Sequence, residues 1–141
     1  MNNRLVVCAY HNVGYRCINE LLRQGAEIVL IFTHEDSPTE EIWFESVREL
    51  AKIHSIPYLT TDINEPERID RVQAIAPDFI LSFYYLTMID PAVLEIPRQG
   101  ALNLHGSYLP KYRGRVPVNW AVINGETETG ATLHYMVEKP D

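Results

Sequence analysis

Short apolar runs rich in β-branched and aromatic residues alternate with segments of helical periodicity, and this alternation limits the fold more than any other feature. The runs cover residues 4–10, 27–33, 56–60, 79–83, 101–105 and 129–137. The periodic segments cover residues 15–23, 40–54, 64–76, 91–95 and 117–123. Strands that alternate with helices form a mainly parallel sheet covered on both faces. The sequence therefore predicts one α/β domain with a doubly wound, mainly parallel sheet.

The bulk properties exclude several classes of partner. A length of 141 residues suits one domain with its own core. The formal net charge of -7 argues against bulk binding of nucleic acid, which needs a basic surface. No apolar run approaches membrane-spanning length, and the first ten residues lack the pattern of a signal peptide. We expect a cytoplasmic protein with no nucleic-acid partner and no membrane insertion.

The cysteine and histidine pattern does not predict a metal site. Cys8 and Cys17 have neither the number of a disulfide framework nor the spacing of zinc ligands. We interpret both as small buried residues. Because no His/Cys cluster has metal-ligand spacing, we expect no metal.

Ligands in doubly wound sheets bind outside the carboxyl ends of the strands. The loops after Phe83, His105 and Val137 are predicted to lie at that edge. The first strand–helix turn, residues 9–14, holds one glycine and lacks the Gly-x-Gly-x-x-Gly fingerprint. A nicotinamide-dependent protein is therefore disfavoured, and titration with NAD would test it. His11 and His34 follow the first two strands and are interpreted as turn histidines, although His11 could approach a ligand.

Asn103 and His105 lie on one face of the predicted strand 101–105, because side chains alternate along a strand. An amide can donate a hydrogen bond to a developing oxyanion, and an imidazole exchanges protons near neutral pH. The loop that follows carries Lys111, Arg113 and Arg115 in an otherwise acidic chain. A local positive patch of this kind suits a small anionic ligand. The stretch predicts an active site.

Residues 103–114 read Asn-Leu-His-Gly-Ser-Tyr-Leu-Pro-Lys-Tyr-Arg-Gly. This run resembles the signature of the folate-dependent formyltransferases, which is Asn-x-His-x-Ser-Leu-Leu-Pro followed by three residues and glycine. Only Tyr108 departs from it, where the signature has leucine. The resemblance extends over essentially the whole chain and implies the Rossmann-like formyltransferase fold.

Flanking stretches resemble one subfamily, the formyltransferase domain of bifunctional polymyxin-resistance enzymes. They are Ser-Phe-Tyr-Tyr at 82–85, Asn-Trp at 119–120 and Gly-Glu-Thr-Glu-Thr-Gly at 125–130. This resemblance implies formyl transfer from 10-formyltetrahydrofolate to a nucleotide-linked amino sugar, UDP-4-amino-4-deoxy-L-arabinose, in lipid A modification. Other nucleotide-linked amino sugars, glycinamide ribonucleotide and methionyl-tRNA are the alternative acceptors. A non-catalytic folate- or nucleotide-binding module is the alternative of another class.

The resemblance also assigns roles to individual residues. Asn103, His105 and Asp141 match the family's catalytic trio, and the residues alone would not have singled out Asp141. The positions expected to bind the folate are Thr87, Met88, Ile89, Arg115, Val137, Glu138, Lys139, Pro140 and Asp141. Lys111 and Arg113 are expected to meet a nucleotide phosphate, while Tyr84 is either part of an aromatic wall for the ligand or rim packing. Leu86 and Thr87 stand where the subfamily carries a basic pair.

Residues 138–141 begin a loop after the last predicted strand. Family catalytic domains are longer, so we expect the chain to be part of a longer gene product and to be weakly active alone. The sequence leaves the oligomeric state open.

Overall fold

The computed structural model describes residues 3–35, 46–105 and 132–136. These ranges contain six strands and four helices: β1 Arg4–Ala9, α1 His11–Arg23, β2 Glu27–Phe32, α2 Val47–Ile53, β3 Tyr58–Leu59, α3 Pro66–Ile75, β4 Phe79–Phe83, α4 Pro91–Leu94, β5 Gly100–His105 and β6 Thr132–Tyr135. None of the helices in these ranges has the length and apolar character that crossing a membrane requires.

The strands form one sheet in the order β3-β2-β1-β4-β5-β6. The first five strands of this order run parallel, and β6 pairs with β5 antiparallel. The predicted doubly wound, mainly parallel sheet is therefore confirmed. The chain builds outward from β1 to β3 and then returns to β4 on the other side of β1. The carboxyl ends of β1 and β4 thus flank the switch point, where open α/β sheets bind ligands.

Both faces of the sheet are buried in separate hydrophobic clusters. Along β1, Val7 and Ala9 join a cluster with Ile18 of α1, whereas Val6 and Cys8 join the cluster on the opposite face. The second cluster takes its helix residues from α3 and α4, including Val72 and Val93. This double burial explains why the strands read as continuous apolar runs instead of alternating ones.

The predicted turn at residues 11–14 is wrong, because α1 begins at His11 and includes Gly14. A Cβ atom added to Gly14 would lie 2.9 Å from the Ala9 Cβ and 3.2 Å from the Phe83 carbonyl oxygen. The glycine therefore lets the first turn of α1 approach the ends of β1 and β4. In the sequence the same glycine indicated a turn, since glycine is a common turn residue.

Other predicted boundaries differ by smaller amounts. Strand β4 matches its prediction, while β3 is limited to Tyr58–Leu59 and β6 to Thr132–Tyr135 within the described residues. Helix α2 begins after Ser46, whose Oγ accepts a hydrogen bond from the Glu49 N–H at 3.2 Å. The earlier part of its predicted range, residues 40–45, lies outside the described residues, as does the predicted helix 117–123.

Candidate functional site

Five aromatic and imidazole side chains gather where β1, β2 and β4 end, and we call them the edge cluster: Tyr10, His11, His34, Tyr84 and Tyr85. The His34 ring stacks on Tyr85, with centroids 4.5 Å apart and planes 20° apart. Tyr10 meets His34 edge-on at 5.3 Å and 88°. His11 and Tyr84 form a tilted pair at 4.9 Å and 37°. Since parallel strands present their carboxyl ends at one edge, residues distant in sequence meet there.

Two members of the edge cluster have a left-handed backbone. His11 has φ 66° and Tyr84 has φ 62°, in a region that bulky residues rarely adopt. Tyr10, between β1 and His11, donates its N–H to the Phe83 carbonyl at 3.1 Å, so the two strained residues are fixed side by side. Backbone strain of this kind concentrates at functional sites. The switch point is therefore the candidate site on geometric grounds.

The two neighbouring tyrosines have different environments. Tyr84 is 44% exposed, so its ring is accessible to a ligand. Tyr85 is partly buried, and this burial raises the pKa of its hydroxyl, with smaller contributions from Cys8 and Asp62. The backbone of Ile63 lowers this pKa to a smaller degree than burial raises it. Tyr85 is therefore a neutral anchoring ring, and Tyr84 is the member suited to ligand contact.

The segment after β4, residues 84–90, contains three positions predicted to bind the folate. Met88 is 57% exposed and Thr87 is partly buried. Ile89 is 8% exposed, and its side chain packs in the core with Val93. Only the backbone of Ile89 is therefore placed to face a ligand at this loop.

Asn103 lies on the strand next to this loop. It pairs in register with Ser82 of β4 and with His134 of β6, and it is partly buried. His105 is the last residue of β5 and pairs with Thr132. The side chain of His105 and all of residues 106–131 and 137–141 lie outside the described residues. The predicted site residues that therefore lie outside the described part of the chain are Lys111, Arg113, Arg115, Val137, Glu138, Lys139, Pro140 and Asp141.

The cysteines are both free thiols, and their environments differ. Cys8 is fully buried, as predicted, and burial raises the pKa of its thiol far above the ordinary range. Cys17 on α1 is partly buried, and burial raises its pKa as well. Within residues 3–35, 46–105 and 132–136, no three His, Cys, Asp or Glu side chains are arranged to hold a metal ion.

Sequence reasoning missed two residues that contact the loop after β4. The Nε2 atom of His34 accepts a hydrogen bond from the Leu86 N–H at 2.9 Å. Asn64 begins the segment 64–76 that the sequence predicts as helical, yet the residue that precedes α3 is Glu65. The Asn64 side chain instead donates to the Met88 carbonyl at 2.7 Å and accepts from the Asp90 N–H at 2.8 Å. The only sequence signal was that both residues follow strands at the ligand-binding edge.

Comparison with known families settles the membership of the chain. A model of the formyl transferase family matches residues 6–141, which is nearly the whole chain. The chain belongs to the formyl transferase family. The family resemblance of the 103–114 signature is thereby confirmed, as is the expectation of a formyltransferase enzyme.

Solved structures share the fold of this formyl transferase. The phosphoribosylglycinamide formyltransferase of Bacillus halodurans is 23% identical with a TM-score of 0.78, covering 98% of this chain and 74% of its own. Glycinamide ribonucleotide transformylase 1 of Geobacillus kaustophilus is 24% identical with a TM-score of 0.77, and the match covers 99% and 77%. A formyltetrahydrofolate deformylase of Pseudomonas syringae pv. tomato is 21% identical with a TM-score of 0.73, covering 99% and 47%. At these identities the likeness establishes the Rossmann-like formyltransferase fold.

Proposed function

We propose that this chain transfers a formyl group from 10-formyltetrahydrofolate to the amine of a nucleotide-linked amino sugar, with UDP-4-amino-4-deoxy-L-arabinose as the preferred acceptor. One observation carries the choice of acceptor. The stretch at 82–85 resembles the polymyxin-resistance subfamily, and its Ser82 is the direct register partner of Asn103, where the family signature begins. The two stretches lead into the candidate site from the adjacent strands β4 and β5. The subfamily resemblance therefore lies beside the family signature in one site.

The proposed chemistry needs a neutral amine, an oxyanion donor and a proton acceptor. The amine nitrogen attacks the formyl carbon, and the new C–N bond leaves a tetrahedral adduct with a negative oxygen. The Asn103 amide donates a hydrogen bond to that oxygen, an interaction worth about 3 kcal/mol in comparable sites. His105 takes the proton from the amine and passes it to the departing folate nitrogen, whose bond to the formyl carbon breaks. The Asp141 carboxylate would orient the imidazole and favour its charged form.

The two substrates are assigned to different sets of residues. The folate is proposed to lie against the backbone of residues 87–89, with Arg115 and residues 137–141. The nucleotide sugar is proposed to place its phosphates near Lys111 and Arg113, since guanidinium and ammonium groups bind phosphate. The exposed ring of Tyr84 is available to stack on either ligand.

Glycinamide ribonucleotide is the second candidate acceptor. Two of the solved structures with this fold are named as glycinamide ribonucleotide or phosphoribosylglycinamide formyltransferases. Both acceptors combine a primary amine with phosphate, so the chemistry above serves either. Methionyl-tRNA is disfavoured because a chain with net charge -7 lacks the basic surface that RNA binding favours.

The test is a product assay on the protein as its gene encodes it, with 10-formyltetrahydrofolate and both amines. Formylated product is detected by mass. His105→Ala and Asn103→Ala are paired with His54→Ala and Asn19→Ala, which make the same changes at exposed positions. Formylated amino-arabinose nucleotide, absent in the first pair and retained in the second, is the expected result. Product from glycinamide ribonucleotide alone would identify that amine as the acceptor in place of the amino sugar. Folate binding without any product would identify a binding module.

A further inference from the structure

We propose that His34 and Asn64 are positioning residues that hold the 84–90 loop in its folate-binding shape from two sides. The inference rests on the proposed function, because that function assigns residues 87–89 to the folate. Neither residue belongs to the predicted catalytic or binding set. Each reaches the loop from a different neighbouring segment, His34 after β2 and Asn64 before α3.

His34 holds the first half of the loop through an oriented ring. Its Nε2 atom accepts from the Leu86 N–H at 2.9 Å, which places the proton of the neutral ring on Nδ1. Stacking on Tyr85 and the edge contact from Tyr10 fix the plane of the imidazole. The ring therefore approaches Leu86 in one orientation, and the Leu86 N–H is fixed in turn.

The surroundings keep this ring neutral. Burial lowers the pKa of His34, and the charge of Asp62 opposes that effect to a smaller degree. The titratable side chains whose rings pack against the imidazole are Tyr10 and Tyr85, and burial keeps the Tyr85 hydroxyl neutral by raising its pKa. A neutral imidazole is required here, because a protonated ring has no acceptor for the Leu86 N–H.

Asn64 holds the second half of the loop with both ends of its amide. The side chain donates to the Met88 carbonyl at 2.7 Å and accepts from the Asp90 N–H at 2.8 Å. Asp62 fixes Asn64 in turn, since its Oδ1 accepts from the Asn64 N–H at 2.9 Å. The adjacent Ile63 is fully buried in the same hydrophobic cluster as Ile89. Both contacts are therefore anchored to the core.

Together these contacts fix the backbone on both sides of Thr87. Leu86 and Met88 have exposed side chains, at 47% and 57%, yet their backbone groups are engaged. A pterin would be read by the neighbouring backbone groups of residues 87–89 that these contacts leave open, and those groups must be in place before binding. Ordering them in advance reduces the entropy lost on binding, so the positioning residues should strengthen folate affinity and leave the chemical step unchanged.

The experiment combines amide hydrogen exchange with folate titration and kinetics on the full chain. His34→Phe keeps an aromatic ring on Tyr85 and removes the acceptor, whereas His34→Gln restores an acceptor near the Nε2 position. Asn64→Leu removes both amide contacts, and Asn64→Asp retains the acceptor for the Asp90 N–H. His54→Phe and Asn19→Leu make matched changes at exposed sites.

We expect His34→Phe to weaken 10-formyltetrahydrofolate binding by about 3- to 10-fold, the effect of one lost hydrogen bond. Asn64→Leu loses two hydrogen bonds and should weaken binding at least as much. The Leu86 amide should exchange at least about tenfold faster in His34→Phe, with partial recovery in His34→Gln. The kcat at saturating folate should stay within about twofold of wild type. The matched variants should change none of these values.

Two results would overturn the proposal. Unchanged exchange at Leu86 in His34→Phe would show that the ring does not hold the loop. Faster exchange with unchanged folate affinity would show that the held shape does not serve binding. Failure of the wild-type protein to bind folate would contradict the proposed function itself and is visible before any variant is made.

Discussion

The rings of His11 and Tyr84 face each other across the carboxyl ends of β1 and β4, with their centroids 4.9 Å apart. Both residues pair this contact with a left-handed backbone. The ring at Tyr84 and the conformation at Tyr84 are separable, because glycine accepts that backbone without the strain that a Cβ atom brings. Substitutions at Tyr84 can therefore separate the effect of the backbone conformation on stability from the effect of the ring on ligand binding.

Tyr84→Gly and Tyr84→Ala both remove the ring, and only the alanine variant retains the backbone strain. A left-handed backbone destabilises a non-glycine residue by about 1–2 kcal/mol, and glycine avoids this cost. Glycine also makes the unfolded chain more flexible, which lowers the stability of the glycine variant by about 0.4–1 kcal/mol. We expect Tyr84→Gly to exceed Tyr84→Ala in free energy of unfolding by about 1 kcal/mol, measured in urea. Both should weaken ligand binding to a similar degree. Equal stabilities would argue that the 84–90 loop relaxes without the ring.

Asn103→Ala should lower kcat by about 100- to 1000-fold, because an oxyanion donor acts mainly in the transition state. The dissociation constant for 10-formyltetrahydrofolate should change little. Steady-state kinetics and folate titration on the same preparation separate the two effects. A large loss of folate affinity with an unchanged kcat would assign Asn103 to binding instead.

Gly14→Ala should destabilise the protein, since the new methyl group would overpack the contact with Ala9 and Phe83 at a cost of about 1–3 kcal/mol. The gain of about 1 kcal/mol in helix propensity offsets part of that cost, so we expect a net loss of up to about 2 kcal/mol. The double variant Ala9→Gly with Gly14→Ala opens room for that methyl group. We expect a favourable coupling of at least about 0.5 kcal/mol in the double-mutant cycle. Strict additivity of the two changes would show that the close approach does not limit α1.

The free energy of unfolding should fall with acidification in a way that depends on His34. Burial lowers the native pKa of this residue below the unfolded value of about 6.5, so the unfolded chain binds the proton more readily. The stabilisation is complete above that value and is lost as pH falls through the native pKa. Urea unfolding between about pH 7 and pH 5 should therefore show a smaller loss in His34→Gln than in wild type. Parallel profiles would exclude His34 as the titrating group.

Cys8 should resist alkylation in the folded protein, whereas Cys17 should react slowly. Cys8 is fully buried, so the reagent cannot reach its sulfur, and burial raises its thiol pKa, so the reactive thiolate does not form. Cys17 is only partly buried. Mass analysis after iodoacetamide treatment, with Cys17→Ser as control, should show no label in the variant until denaturant is added. Rapid labelling of folded Cys17→Ser would reveal opening of the β1 core.

Part of this protein was predictable from the sequence because the relevant signals are local. Strand β4 matched its predicted range, since an apolar run between Asp78 and the following loop is readable without knowing its neighbours. The signature at 103–114 was sufficient to identify the family, because a dozen ordered positions restrict the chemistry strongly. The parallel sheet followed from the alternation of elements.

Tertiary structure decided the features that depend on residues far apart in the chain. Gly14 indicated a turn in the sequence, and only the close approach to Ala9 and Phe83 explains its place inside α1. His34 and Leu86 are 52 positions apart, and Asn64 and Met88 are 24 apart. No local pattern encodes such contacts, because they exist only once β2, β1 and β4 have aligned their carboxyl ends at one edge. The sequence by itself thus determined the family and the order of elements, and the sheet decided which side chains meet at the site.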